Sequence, residues 1–342
     1  GMGLGGPGCA APAVRRSQCL FPLPGFGGGG TDVSRLSYDP THCTLCPRRC
    51  GVLRTETEGE GWCRMPALPV AARAALHHWE EPCISGLHGS GTIFFSGCTL
   101  RCCFCQNYQI SSEGFGKDIS GTRLEEIFLE LQAQGAHNIN LVTPTQYLPS
   151  LLPILKRVKP QLSIPIVYNC GGYETLEAVD ALAPYIDIWL PDLKYYSSEL
   201  SARYSAAPDY FPVASAAVKR MIEHTGPLVL EDFSENGQTC QLMKRGVILR
   251  HMVLPKHKDD SIRLLHWIHD NLPEGHFLVS LMSQYTPFYQ SSKYPEINRR
   301  ITSYEYQKVV DAAIELGLTQ GFMQEKSSAK EEYTPPFELQ GI

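Results

Sequence analysis

A chain of 342 residues with 43% apolar side chains has ample material for one large domain or two ordinary ones. Its formal net charge of −5 argues against a protein that lives by neutralising phosphates, so duplex nucleic acid is a poor partner. No run approaches the ~18 apolar residues of a membrane span, and residues 1–32 lack the apolar stretch of a secretory signal, so the expected compartment is cytoplasmic.

Residues 1–32, rich in Gly, Pro and Ala, show neither helical nor strand period and read as a flexible arm in which Cys9 and Cys19 are incidental thiols. Residues 33–85 read as a cysteine-rich cap built on CTLCPRRCGVLRTETEGEGWC, which spaces Cys43, Cys46, Cys50 and Cys63 around two tight turns at Pro47 and Gly51. EEPCISGLHGSG, from Glu80, reads as a loop near the next cysteine group. His77, His78 and His88 have no carboxylate at ligand spacing and are not read as a metal site.

From Thr92 short apolar runs alternate with amphipathic segments. TIFFSG predicts a strand, followed by the helix LEEIFLELQAQG with Gly135 as its stop. The strands NINLVTP, IPIVYN, IDIWLPDLK, GVILRHMVLP and FLVSLMSQYTP follow. Between and after them come the helices LPSLLPILKRV, TLEAVDALAP, DYFPVASAAVKRMIEHTG, SIRLLHWIHDNL and SYEYQKVVDAAIELG. About six βα units in a row predict an α/β fold of parallel strands, either a partial (β/α)6 barrel or a doubly wound sheet. Either gathers ligand chemistry at the carboxyl ends of its strands. The core is expected over residues 86–325, and 326–342 form a polar tail that drapes over it.

Thirteen cysteines in a reducing compartment point to metal ligands or redox groups rather than disulfides. SGCTLRCCFCQN places Cys98, Cys102 and Cys105 in a C-x3-C-x2-C pattern on the loop after TIFFSG. Three thiolates at this spacing can converge on one four-iron cubane and leave its fourth iron open for chemistry. The competing reading is a structural zinc knot. Cys103, adjacent to Cys102, is expected to turn away and pack against the barrel wall. The earlier quartet offers four soft ligands and a closed site, which suits either structural zinc or an auxiliary [4Fe–4S] cluster. Cys83, Cys170 and Cys240 stand alone and read as small apolar residues.

GCTLRCCFCQN resembles the cluster-binding loop of the radical S-adenosylmethionine (radical SAM) superfamily, including the aromatic Phe104 before its last cysteine. Together with GAHNINLVTPTQYLP, PIVYNCGGYE, DIWLPDLKYY and RHMVLP it is similar to relatives of the pyruvate formate-lyase activating enzyme, in the branch with an extra N-terminal cysteine motif. The resemblance covers about residues 40–340 and implies a partial (β/α)6 TIM-like barrel with an N-terminal cap. It also implies that Cys98, Cys102 and Cys105 ligate a [4Fe–4S] cluster whose open iron takes SAM. One electron then cleaves SAM to methionine and a 5′-deoxyadenosyl radical, which abstracts hydrogen from a glycyl radical enzyme, another peptide or a small molecule. A one-electron donor such as flavodoxin or ferredoxin is implied with it.

Many relatives carry Gly-Gly-Glu after the second strand to receive the SAM ammonium. Here Thr143-Pro144-Thr145 stands instead, leaving Asn140 and Thr143 as the candidate acceptors. Asn169, in a segment resembling the family's Thr-Asn-Gly motif, is a candidate ribose or carboxylate contact. Asp192 and Lys194 match the Asp-x-Lys of the activating enzymes and share one face of a strand end. Arg250 is placed to grip the SAM carboxylate, and His251, on the opposite face, reads as a core histidine. Gln284 and Tyr285 are expected at the substrate mouth and Met282 in the core. A non-catalytic protein that binds zinc through both cysteine groups is the alternative function.

Overall fold

A computed structural model describes residues 36–323 and 334–342. The arm with Cys9 and Cys19, and residues 326–333 of the expected tail, lie outside the described residues. The chain begins with β1 (Val70–His77), α1 (Pro82–Ser85), β2 (Ser90–Phe95), α2 (Tyr108–Ser111), β3 (Lys117–Asp118) and α3 (Gly121–Ala133). It continues through β4 (Ile139–Val142), α4 (Leu148–Val158), β5 (Ile166–Cys170), α5 (Leu176–Leu182), β6 (Ile188–Pro191), α6 (Ser198–Ser205) and α7 (Tyr210–Thr225). It ends with β7 (Val229–Glu235), β8 (Gln238–Met252), α8 (Lys258–Asn271), β9 (Phe277–Met282), α9 (Ser303–Glu315) and β10 (Gly321–Met323).

The sheet runs β10-β9-β8-β6-β5-β4-β2-β1-β3, with parallel pairing from β2 through β10 and with its ends unjoined. This is the partial TIM-like barrel expected, with two amendments. The strands are not all parallel, because β1 pairs antiparallel with both β2 and β3. A further parallel strand, β10, follows the sixth βα unit. Helix starts follow local chemistry: the Ser120, Thr175 and Ser197 side chains accept from backbone amides of the first turn, and Thr302 with Glu305 forms a capping box.

Alternation along the strands separates two environments. Outward residues such as Ile93, Leu141, Tyr168, Trp189, Leu249 and Val279 join the helices in the main core. Inward residues Val167, Ile188, Leu190, Ile248 and Leu278 pack against Cys83 and Ile84 of α1. The segment expected as a loop is therefore a turn of helix that plugs the barrel interior. Above that plug the inward positions turn polar: Asn140, Asn169, Asp192, Arg250 and Ser280.

Two peripheral features complete the unit. The first half of β8 pairs with β7 in an antiparallel ribbon, and Gly246, at φ 145°, marks where β8 passes into the parallel sheet. The ribbon docks through Phe233 and Glu235. The ring of His88 stacks on His137 at 4.8 Å, and its Nε2 lies 2.5 Å from the Glu235 carboxylate, a partner supplied from far along the chain. The tail segment 334–342 lies along β1, where Ala74 N donates to Gln340 O (2.8 Å) and Leu339 N to Ala72 O (3.1 Å), while Phe337 packs edge-on to Phe94. Among the described residues no helix is long and apolar enough to cross a membrane.

Candidate active site

At the carboxyl ends of the parallel strands lies a cavity of about 220 Å³. One wall is the cysteine loop. Cys98, Cys102 and Cys105 all face the cavity; Cys103 is buried in the core and does not. The loop is pinned from several sides, with Gly97 N donating to Ile110 O, Cys103 N to Tyr204 O, and Gln290 N to Cys103 O (each 2.8 Å). Each sulfur of the triad accepts one hydrogen bond from the protein. Ser205 Oγ donates to Cys102 (2.9 Å), Ser111 Oγ to Cys105 (3.3 Å) and Leu100 N to Cys98 (3.4 Å). Burial pushes the Cys105 thiol up to about 12 and raises Cys102. Without a bound cation these groups are neutral thiols, and a metal would supply the positive charge that lets them ionise. Phe104 lies at the cavity wall with its ring edge-on to Tyr285 at 5.7 Å.

Lining the same cavity is a network of buried charges. Arg250 Nε donates to Asp192 (3.0 Å), its Nη2 to Asn169 Oδ1 (2.6 Å) and its Nη1 to Glu80 (3.4 Å). Lys194 Nζ donates to the second Asp192 oxygen at 2.6 Å. Burial raises the Asp192 carboxyl, but the Arg250 and Lys194 cations outweigh it and hold the group below its ordinary value. Burial likewise raises Glu80 and Glu81, with Arg250 opposing it only in part. Gly172 lets two strand ends approach. At φ 77°, a Cβ there would stand 2.2 Å from the Asp192 carbonyl oxygen.

The expected site residues are thus largely brought together: Cys98, Cys102, Cys105, Phe104, Thr143, Asn169, Asp192, Lys194 and Arg250 all line one cavity. Asn140 is not among its lining. It is fully buried one layer down, its Nδ2 donating to Glu80 (3.1 Å) and its Oδ1 without a partner among the described residues. Thr143 holds a left-handed φ of 51°, costly for a β-branched residue, and its backbone is fixed by Asn169 O and by the Gln146 side chain. Met282 is buried but reaches the cavity, beside Gln284 and Tyr285. His251 is a satisfied core histidine, with Nδ1 donating to Leu193 O and Nε2 accepting from Ser261 Oγ, both at 2.7 Å.

Sequence reasoning misses Glu80, which supplies the cavity floor with a carboxylate, and Glu81 beside it. It also misses Glu174, buried under Thr145. Thr145 Oγ1 donates to Glu174 at 2.7 Å, and burial pushes this carboxyl up to about 7. The adjacent acids before Pro82 are the one signal for the first pair.

A second, much smaller cavity of about 20 Å³ lies behind the loop, lined by all four of Cys43, Cys46, Cys50 and Cys63 with Arg54, Trp62 and Gln146. Arg54 is buried and donates to the carbonyls of Met65, Pro66 and Gln146, with its Nη1 3.9 Å from Cys43 Sγ. Gln146 Oε1 has no partner among the described residues, while its Nε2 donates to the Ser96 and Gly97 carbonyls of the loop. Among the described residues no three Cys, His, Asp or Glu groups converge as they would on a single metal ion.

Residues 92–268, over half of the chain, match the radical SAM superfamily. The chain belongs to the radical SAM superfamily. An uncharacterized protein of Methanocaldococcus jannaschii is 33% identical over 281 residues, which make up 80% of this chain and 74% of that protein. The crystal structure of Streptococcus suis SuiB bound to S-adenosylmethionine aligns with a TM-score of 0.46 at 16% identity, over 67% of this chain and 48% of SuiB. A domain of the pyruvate-formate lyase-activating enzyme from Bacteroides vulgatus aligns at 0.35 and 14% identity, over 51% of this chain and 89% of that domain. This chain therefore spans about half the length of SuiB. Radical SAM proteins normally bind a [4Fe–4S] cluster and SAM. The residues present fit both: three cavity-facing sulfurs with a hydrogen bond each, and buried cations and carboxylates for an amino-acid zwitterion.

Proposed function

We propose that this radical SAM chain is an enzyme holding a [4Fe–4S] cluster on Cys98, Cys102 and Cys105 and SAM against Asn169, Asp192, Lys194 and Arg250. When bound and reduced by one electron, the cluster supplies cleavage of SAM to methionine and a 5′-deoxyadenosyl radical, which takes hydrogen from the substrate. The observation that carries the reading is the divided cysteine loop, in which three hydrogen-bonded sulfurs turn to the charged cavity and the adjacent fourth turns away. Three ligands leave one iron for the cofactor, as three-ligand sites do elsewhere.

The chain's own groups then have separate tasks. Arg250 is preorganised by Asp192 and Asn169 to face a carboxylate, and Thr143 with the neighbouring carbonyls offers acceptors to an ammonium. Phe104, Phe94 and Met252 give apolar walls that exclude water. Hydrogen abstraction in the manner of a glycyl-radical activase, from a protein, peptide or small molecule, is the substrate reading we favour, with the rim at Trp79, Gln284 and Thr334 as its port. Anaerobic reconstitution with iron and sulfide, reduction and incubation with SAM should yield 5′-deoxyadenosine, and Cys102→Ala should abolish it. Tetrahedral zinc in both cysteine groups, with no response to SAM, would overturn the reading.

A further inference from the structure

The two cysteine cavities share a wall. Thr99 lines the smaller one, and its neighbours Cys98 and Leu100 line the larger. Three hydrogen bonds cross this wall in a continuous line. The Trp62 amide donates to Cys50 Sγ (3.3 Å), the Trp62 indole Nε1 donates to the Leu100 carbonyl (3.4 Å), and the Leu100 amide donates to Cys98 Sγ (3.4 Å). One sulfur of each set is thereby joined to the other through a single aromatic side chain and a single residue of backbone.

The line is held in place by two arginines. The Arg48 guanidinium stands 4.3 Å from the centroid of the Trp62 ring and donates to the carbonyls of Thr99 (2.7 Å) and Ser205 (2.9 Å). Arg101 donates to Trp62 O at 3.1 Å, with its guanidinium 5.5 Å from the ring centroid. These contacts fix the indole between the sites. They also make removal of an electron from the ring unfavourable, because the resulting cation would sit beside two others. Trp62 is therefore built as a bridge and not as a stopping point. At the outer end Cys50 is exposed, while Cys43 is buried next to Arg54.

We infer that Cys43, Cys46, Cys50 and Cys63 hold a second iron–sulfur cluster that passes electrons to the main site along the Trp62–Leu100 line. The inference rests on the proposed function, which supplies the acceptor. The donor is a small one-electron carrier protein of the flavodoxin or ferredoxin class. The carrier loses one electron at the Cys50 edge, the second cluster gains and then loses it, and the cluster on Cys98, Cys102 and Cys105 ends one electron richer. No bond forms or breaks, and Trp62 returns unchanged. Zinc has no second oxidation state to use, so a zinc-filled quartet would leave the line idle.

Three variants of the full chain, reconstituted anaerobically with iron and sulfide, test this. Cys98→Ala/Cys102→Ala/Cys105→Ala should still bind iron and give, on reduction with dithionite, a paramagnetic signal that SAM does not alter. Cys46→Ala/Cys63→Ala should keep only a SAM-sensitive signal. With reduced flavodoxin and rapid freezing, that signal should build up slower by an order of magnitude or more than in the parent, while dithionite reduces both alike. Trp62→Phe keeps all seven thiols and a ring but lacks the Nε1 donor, and should slow the same build-up several-fold. A triple variant that takes up zinc and no iron overturns the second cluster. A flavodoxin rate unchanged in Cys46→Ala/Cys63→Ala overturns the relay, and one unchanged in Trp62→Phe overturns the path. Failure of the main-site reading looks different: the parent itself would show no SAM-sensitive signal, which removes the acceptor.

Discussion

Replacing Arg250 by methionine keeps an unbranched apolar stem and removes the guanidinium that joins Asp192, Asn169 and Glu80. The Arg250 and Asp192 side chains are 16% exposed and that of Glu80 is 9% exposed, so the few waters that reach them from the cavity replace the cation poorly. Removing one partner of a buried pair leaves an uncompensated charge and costs about 3–5 kcal/mol. The exposed Arg123–Glu130 pair, at 32% and 50%, is the control: Arg123→Ala should cost less than about 1 kcal/mol.

The pH dependence adds a signature. In the wild-type protein Asp192 is held low and so contributes stability above its unfolded value, which is lost as pH falls through its folded one. Without Arg250, burial dominates at Glu80 and opposes Lys194 alone at Asp192, so both folded-state carboxyls rise. A carboxyl raised above its unfolded value binds more protons when folded, so stability grows as pH falls through the raised value. The variant's deficit should therefore be largest at about pH 8 and shrink toward about pH 5. Urea unfolding of the iron-free protein, followed by tryptophan fluorescence, measures both, and Glu80→Gln added to Arg250→Met should recover part of the loss. A deficit below about 1 kcal/mol at the higher pH, or one that ignores pH, would refute the reasoning.

Other consequences can be checked directly. Gly172 and Gly226 both hold positive φ, but an Ala Cβ at 172 would stand 2.2 Å from Asp192 O whereas one at 226 meets nothing within 4 Å among the described residues, so thermal unfolding should show a clearly larger loss for Gly172→Ala than for Gly226→Ala. Glu174 is raised by burial from 4.5 to about 7, so it lowers stability as pH climbs through that window. Glu174→Gln should flatten the pH–stability curve there by roughly 3 kcal/mol, and parallel curves for the two proteins would count against it. Because burial keeps Cys102 and Cys105 protonated, metal loading must expel protons. Chelator competition should find iron held more tightly at about pH 8.5 than at about pH 6.5, and equal retention would contradict neutral thiols at Cys102 and Cys105.

The parallel strands are legible in the sequence because they are buried on both faces. INLV and FLVSLM are buried at every position and each carries a single polar residue, Asn140 or Ser280, the near-continuous apolar pattern of such a strand. Asp192 and Lys194 are legible by alternation, and the cysteine loop by spacing. The β7–β8 ribbon is marked only by Asn236-Gly237, both at positive φ as a type I′ turn requires. Its flanks are too polar and too exposed to show a strand's apolar alternation. The plug α1, four residues long, is too short to have a period. Glu80, read from the sequence only as the start of a loop, becomes a cavity group once the fold sets Arg250 against it. Ser205, whose hydroxyl meets Cys102 from over a hundred positions away, leaves no local trace at all. Asn140 is visible as a polar inward residue, yet its amide is already committed to Glu80 beneath the cavity floor.

With α1 wedged into its base, the barrel is a vessel closed at one end. Anything resting on the Arg250 floor has to arrive before, and depart after, whatever sits across the rim. Traffic through such a vessel is last in, first out, so a bulky molecule held at the rim at high concentration should trap the smaller occupant below it and slow turnover instead of hastening it.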